Sequence, residues 1–165
     1  MFMLKQIEQR LQSCKLQMHE HKTKVINIRG VAQKQYPKGF DFLGFTIRAG
    51  AYNHKGTIKA MPGIFVSRKS KMSIVQKFKD MVIHKRRKPL EVIARMVNPV
   101  ARGIINYYHK FHNKDMRVVW KQLNARLLKW VKWEKDLYKK AAIRYLKTKY
   151  QEQPNLFVHW LLVRP

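Results

Sequence analysis

Acidic residues are scarce in this 165-residue chain, where 9 Asp and Glu stand against 36 Lys and Arg, for a formal net charge of +27. Such an excess repels itself unless a polyanion or an acidic protein supplies counter-charge, so nucleic acid is the first partner to consider and anionic lipid a rival. Cysteine is nearly absent. The lone Cys14 excludes an internal disulfide and a cysteine-based zinc cluster, and its place on an apolar stripe predicts a small buried residue in preference to a nucleophile. Long hydrophobic runs are missing too. No segment reaches the roughly 18 uncharged apolar residues of a membrane span, and "MFMLKQIEQRLQ" lacks the apolar run and small-residue cleavage site of a secretory signal. The expectations are no membrane span and a cytoplasmic location.

The shortage of acids also bears on catalysis. Only Glu8, Glu20 and Asp41 precede Asp80, and no local spacing brings them together around the paired ions of phosphoryl-transfer chemistry. His19, Glu20 and His21 are adjacent, unlike an H-E-x-x-H pair one helical turn apart. His109 and His112 are three residues apart, with no cysteine ligand nearby. Surface or phosphate-facing histidines are expected in both places, with no metal, no cofactor and no catalytic group.

What is present is a chain able to fold, since 45% of it is apolar. Leu4, Ile7, Leu11, Cys14 and Met18 recur at three- and four-residue spacing and predict a helix over about residues 2–18. "KTKVINI" and "FDFLGFTIR" read as strands. "AGAYNHKG" reads as a turn holding Gly50 and Gly56, followed by a third strand in "TIKAM", extended by "GIFVS". From "SRKSKMSIVQKF" the period becomes helical, with Ile74, Phe78, Met81 and Val82 on one stripe until "RRKP" interrupts it.

A short helix with Leu90, Ile93, Ala94 and Val97 is expected to stop near Asn98, which would cap a new helix opened by Pro99. In that next helix Val100, Ile104, Tyr107, Tyr108 and Phe111 can face a core. A long periodic segment from about Lys114 to Tyr150 carries Met116, Val119, Trp120, Leu123, Leu127, Trp130, Val131 and Leu137, with a break expected around residues 132–136. The tail "NLFVHWLLVRP" is apolar enough to dock, set apart by Pro154.

The cations fall into groups. Arg68, Lys69 and Lys71 precede one helix; Lys85, Arg86, Arg87 and Lys88 follow it; Arg102 and Lys110 flank the tyrosine pair. Lys121, Lys129, Lys132, Lys139, Lys140, Arg144 and Lys147 recur along the last helices. Spread over helices in this way, they suit a surface that binds a nucleic-acid backbone.

Two stretches together carry a family resemblance. "KTKVINIRG" followed by "FDFLGFTIR" resembles the end of the palm in group II intron reverse transcriptases, and "VNPVARGIINYYHKF" with "LNARLLKWVKWEKD" resembles their maturase-specific (X) thumb domain. The resemblance implies an α+β chain: a small remnant of a polymerase palm sheet, followed by a mainly α-helical thumb. Residues 1–65 would be the partial palm, 66–153 the thumb and 154–165 a docking tail.

The resemblance places Lys22 and Thr23 in the late palm and Phe42, Leu43, Gly44 and Phe45 in the strand before the thumb. Asn98, Pro99, Gly103, Asn106, Tyr107 and Tyr108 occupy the thumb motif, all of these as structural positions. It implies group II intron RNA as partner and assistance to splicing. The family's catalytic tyrosine-alanine-aspartate-aspartate strand and its earlier palm aspartate are missing here, so polymerase activity from this chain alone is not expected. The second reading is a catalytically inactive C-terminal segment of a split or truncated RNA-directed DNA polymerase, working beside an upstream fingers/palm polypeptide.

Overall fold

The computed structural model describes residues 2–19, 22–26, 28, 37–110 and 113–165. It is an α+β protein, with a three-stranded antiparallel sheet preceding a helical body. Helix α1 spans Phe2–Ser13, shorter than the expected 2–18, because the chain turns at Cys14 and Lys15, where Lys15 has φ 58°. Cys14 is exposed, not buried, and Ile7 on the same stripe is 50% exposed. Residues 22–26 and 28 of "KTKVINI" carry no strand. In their place, the amides of Lys22 and Thr23 both donate to the His19 carbonyl, which closes a turn.

The "FDFLGFTIR" stretch is two strands, not one. Strand β1 (Gly39–Phe42) and strand β2 (Phe45–His54) are joined by Leu43 and Gly44, whose φ values of 46° and 81° match the right-handed twist of a two-residue hairpin. A second such turn, Lys55 and Gly56 at φ 50° and 83°, leads into β3 (Thr57–Val66). The expected "AGAYNHKG" turn is therefore mostly strand. Gly50 sits within β2 because the Phe65 ring covers it: a side chain added at Gly50 or Gly63 would come within 2.8 Å of that ring. The Arg48 guanidinium lies over the same ring, 4.3 Å from its centre. An aromatic ring laid over strand glycines recovers the packing their missing side chains lose.

Helix α2 (Arg68–Asp80) starts where Ser67 accepts from the Ser70 amide at 3.1 Å, an N-cap that satisfies one of the orphan donors. It buries Ile74 and Phe78. The stripe does not continue to Val82. That residue adopts φ 47°, reversing the chain into a 3-10 turn at Ile83–Lys85 whose Ile83 is fully inside.

Helix α3 (Leu90–Tyr108) corrects the reading at Asn98. It runs unbroken through Pro99, with Leu90, Ile93, Ala94, Val97, Ala101 and Ile104 forming one buried face. An interior proline costs about 3 kcal/mol, while each large aliphatic side chain buried contributes about 1.5–3 kcal/mol. Ile93, Val97 and Ile104 together outweigh the kink. Asn98 is not a cap: its Nδ2 donates to the Leu156 carbonyl at 2.9 Å and its Oδ1 accepts from the Val158 amide at 3.1 Å.

Helices α4 (Arg117–Glu134) and α5 (Lys139–Glu152) realise the expected break, with Asp136 at φ 48° in the corner. Val119, Trp120, Leu123, Leu127, Trp130 and Val131 are buried on α4. The C-terminal segment packs into the core, with Phe157, His159 and Trp160 at 0–1% exposure. Asn124 holds it in place. Its Oδ1 accepts from Trp160 Nε1 at 3.1 Å and lies 2.8 Å from His159 Nε2, while its Nδ2 reaches the carbonyls of Val163 and Arg164.

An oxygen that accepts from an indole must also accept from the imidazole, so His159 carries its proton on Nε2. Its Nδ1 is buried without a partner, and burial lowers the pKa from 6.5 to about 3. The unfolded chain takes up this proton below pH 6.5 and the folded chain does not, so stability is complete above that pH and falls as the pH drops toward 3. Thermal melts at pH 7 and pH 5 are expected to differ by about 2 kcal/mol from this residue. In His159→Gln, which keeps a donor for Asn124, this pH dependence is expected to flatten.

Candidate nucleic-acid interface

The sheet meets the helices at one corner. Phe45 and Val66 are buried there, whereas Ile58 at 75% exposure and Phe42 at 58% leave much of the sheet uncovered. The Gly44 carbonyl accepts from the Ser67 amide and from Ser70 Oγ, both at 2.9 Å. Asp115 accepts from the Val66 amide at 2.6 Å and pairs with Lys71 at 2.7 Å. Lys71 thus has its ammonium engaged and is the least available of the cations expected to meet RNA.

The tyrosine pair belongs to the same corner. Tyr108 is half-buried and packs on Phe45 at 5.4 Å, and the Tyr107 ring stacks on Phe45 at 5.6 Å. Tyr107 is not a core residue: it is 47% exposed, and its hydroxyl donates to the Leu43 carbonyl at 2.9 Å. Of the two phenylalanines flanking Leu43 and Gly44, Phe45 is inside and Phe42 outside. Phe111 and His112 lie outside the described residues, as do Glu20 and His21. His109 does not face solvent alone; its Nε2 accepts from Trp120 Nε1 at 3.1 Å.

The remaining cations are on the surface. Arg68 and Lys69 are exposed on the first turn of α2, Arg102 on α3, and Lys110 two residues past its end. On α4, Lys121, Lys129 and Lys132 share an exposed face, and Lys140, Arg144 and Lys147 do so on α5, with Lys139 exposed at its start. Among the described residues only Lys71–Asp115 and Lys149–Glu152 form ion pairs. Most of the positive charge is left facing water.

The densest cationic group forms where the turn after α2 lies on α4. The Arg86 carbonyl accepts from Trp130 Nε1 at 2.8 Å, and Arg86 Nε donates to the Met81 carbonyl at 3.0 Å. These two bonds and the buried Ile83 fix the Lys85–Lys88 run against the helix. Partial burial, then the charges of Lys129, Lys85 and Arg126, hold the His84 pKa below its usual value. On the other flank a cleft of about 260 Å³ gathers Arg87, Lys88, Lys135 and Lys149 around Glu91 and Glu134.

Four surface residues escaped sequence reasoning. Arg95 and Arg117 are exposed, and two large aromatics face water near the cations: Trp133 at 63% and Tyr138 at 90%. Trp133 falls off the buried stripe of Trp120, Leu123, Leu127 and Trp130, which is the signal that could have found it. Exposed rings among cations offer stacking surfaces for unpaired bases. Among the described residues no three His, Cys, Asp or Glu side chains converge on a metal-sized site, and no helix is long and apolar enough to cross a membrane.

Residues 71–150, from within α2 to near the end of α5, match the family model described as group II intron, maturase-specific domain. No curated protein and no solved structure matches the chain. The helical body thus carries the family's sequence pattern over four helices and the 3-10 turns between them.

The corner itself makes a prediction. Gly44 has φ 81°, and a side-chain carbon there would lie 2.9 Å from Ser70 Oγ and 3.1 Å from the Tyr108 hydroxyl. Gly44→Ala is expected to lose about 1–3 kcal/mol in chemical denaturation. Tyr107→Phe, which loses only the bond to Leu43, is expected to lose about 1 kcal/mol.

Proposed function

We propose that this chain is an RNA-binding, group II intron maturase-like protein whose helical body recognises structured intron RNA and assists splicing. The observation that carries this reading is the maturase-specific match over residues 71–150, coincident with the helices on which the unpaired cations lie. Structured RNA presents phosphate surfaces and locally unstacked bases, which suit cationic helices bearing a few exposed rings. Arg68, Lys69, the Lys85–Lys88 run and the lysines of α4 and α5 are its phosphate contacts in this reading.

A second reading draws on the sheet. Its uncovered apolar residues, Phe42, Ile58 and Ile64 among them, favour a palm remnant that once completed, or still completes, a polymerase with a separate fingers/palm polypeptide. The three units at 1–65, 66–153 and 154–165 belong to this proposal.

Binding of the purified chain to a group II intron transcript and to size-matched double-stranded DNA, compared over a salt series, tests the first reading. A salt-dependent preference for the RNA is expected. Equal, weak binding to every polyanion would overturn it. In a primer-extension assay with a primed RNA template, nucleotides and magnesium, the chain alone is expected to be inactive; recovery of extension on adding a fingers/palm polypeptide would establish the second reading.

A further inference from the structure

Helix α3 turns one continuous face to water. Arg95, Pro99, Arg102, Gly103 and Asn106 are all exposed, and their spacing of four, three, one and three residues places them along one side. Lys110, also exposed, extends the line past the helix end. The opposite side is the buried face from Leu90 to Ile104. Glu91, one turn before Arg95, is half-buried, and no acidic residue lies on the line from Arg95 to Lys110. Arg95, Arg102, Asn106 and Lys110 make no side-chain hydrogen bond or ion pair among the described residues.

Gly103 is the anomaly on this face. Glycine in a helix interior weakens the helix relative to alanine, so a glycine there ordinarily answers a need for space. Nothing among the described residues makes that demand: a side-chain carbon at Gly103 would meet none of their atoms within 4 Å, and its φ is not positive. Gly44, by contrast, is required by both its φ and its neighbours. The room left at Gly103 opens outward, between cations.

We propose that this face of α3 seats an RNA sugar-phosphate strand, with Gly103 as the notch where the strand touches the helix backbone and Arg95, Arg102 and Lys110 as its phosphate partners. The occupant is polyanionic because from Arg95 to Lys110 the face carries three cations and no acid, which disfavours an apolar partner helix. Asn106, both donor and acceptor, matches the paired capacity of a ribose 2′-hydroxyl. The proposal rests on the RNA-binding reading above and adds the surface that makes the closest approach.

The test uses the full chain and a group II intron transcript as probe. Gly103→Ala is expected to raise the unfolding midpoint by about 2–4 °C while weakening RNA binding. Gly103→Gln, which fills the notch further, is expected to weaken binding about tenfold, or about 1.4 kcal/mol, with the fold intact. Arg102→Gln is expected to reduce the slope of log affinity against log salt by about 0.7–0.9, whereas Lys55→Gln, an equal charge change on the β2–β3 turn, leaves it unaltered. Should Gly103→Gln bind as tightly as the unaltered chain, or Gly103→Ala melt at lower temperature, the α3 seat is wrong and the RNA-binding reading stands. Failure of the unaltered chain to bind the transcript removes both.

Discussion

The indole of Trp120 holds the helical body together. From the first turn of α4 it lies 6.2 Å from the Phe78 ring of α2 and 5.9 Å from His159 of the tail, and its N–H donates to His109 just past α3. Three separate segments are thereby referred to one fully buried side chain. A chain with charge +27 has a general repulsion opposing compaction. Large aromatic area buried at a shared centre offsets it, and an indole also brings a donor that must be satisfied inside. His109 supplies the acceptor and is thereby fixed as the neutral ring protonated on Nδ1.

The polar side chains of the interior follow the same logic. Asn98 and Asn124 each present a donor and an acceptor to the backbone or rings of the tail, so a segment with little regular structure is held by amide side chains from two helices. The acids are used sparingly. Asp115 joins the end of β3 to Lys71 on α2, and that corner, with the Gly44 turn under Tyr108, is where the described sheet meets the body. Because 9 carboxylates face 36 Lys and Arg, most cations outside remain uncompensated. The same imbalance that makes this molecule hard to compact leaves its surface strongly positive.

Legibility in the sequence varied with the kind of signal. The apolar stripe of α4 was readable residue by residue, from Val119 to Val131, because a fully one-sided helix obeys its 3.6-residue period. The break before α5 was readable as an interruption of that period. Asn98–Pro99 was misread because local stop chemistry is strong in isolation, yet here the buried face on both sides of Pro99 prevails. "AGAYNHKG" was misread because the ring that covers Gly50 comes from Phe65 on the neighbouring strand, fifteen residues away. The expected RNA contacts were legible as cations, but the withdrawal of Lys71 was not, since its partner Asp115 lies 44 residues further along.

The sequence alone determined the charge, the helical periods and the maturase-like motif, because composition and local spacing require no knowledge of distant neighbours. The tertiary structure decided which motif residues have structural work. Tyr107, Tyr108 and Gly44 are tied to one another across the sheet corner, and Asn98 is bound to the tail. Pro99, Arg102, Gly103 and Asn106, from the same short motif, are turned outward on α3. Only the direction in which α3 buries its apolar face separates the two sets, and that direction is set by Ile93, Val97 and Ile104 seeking a core that other segments build.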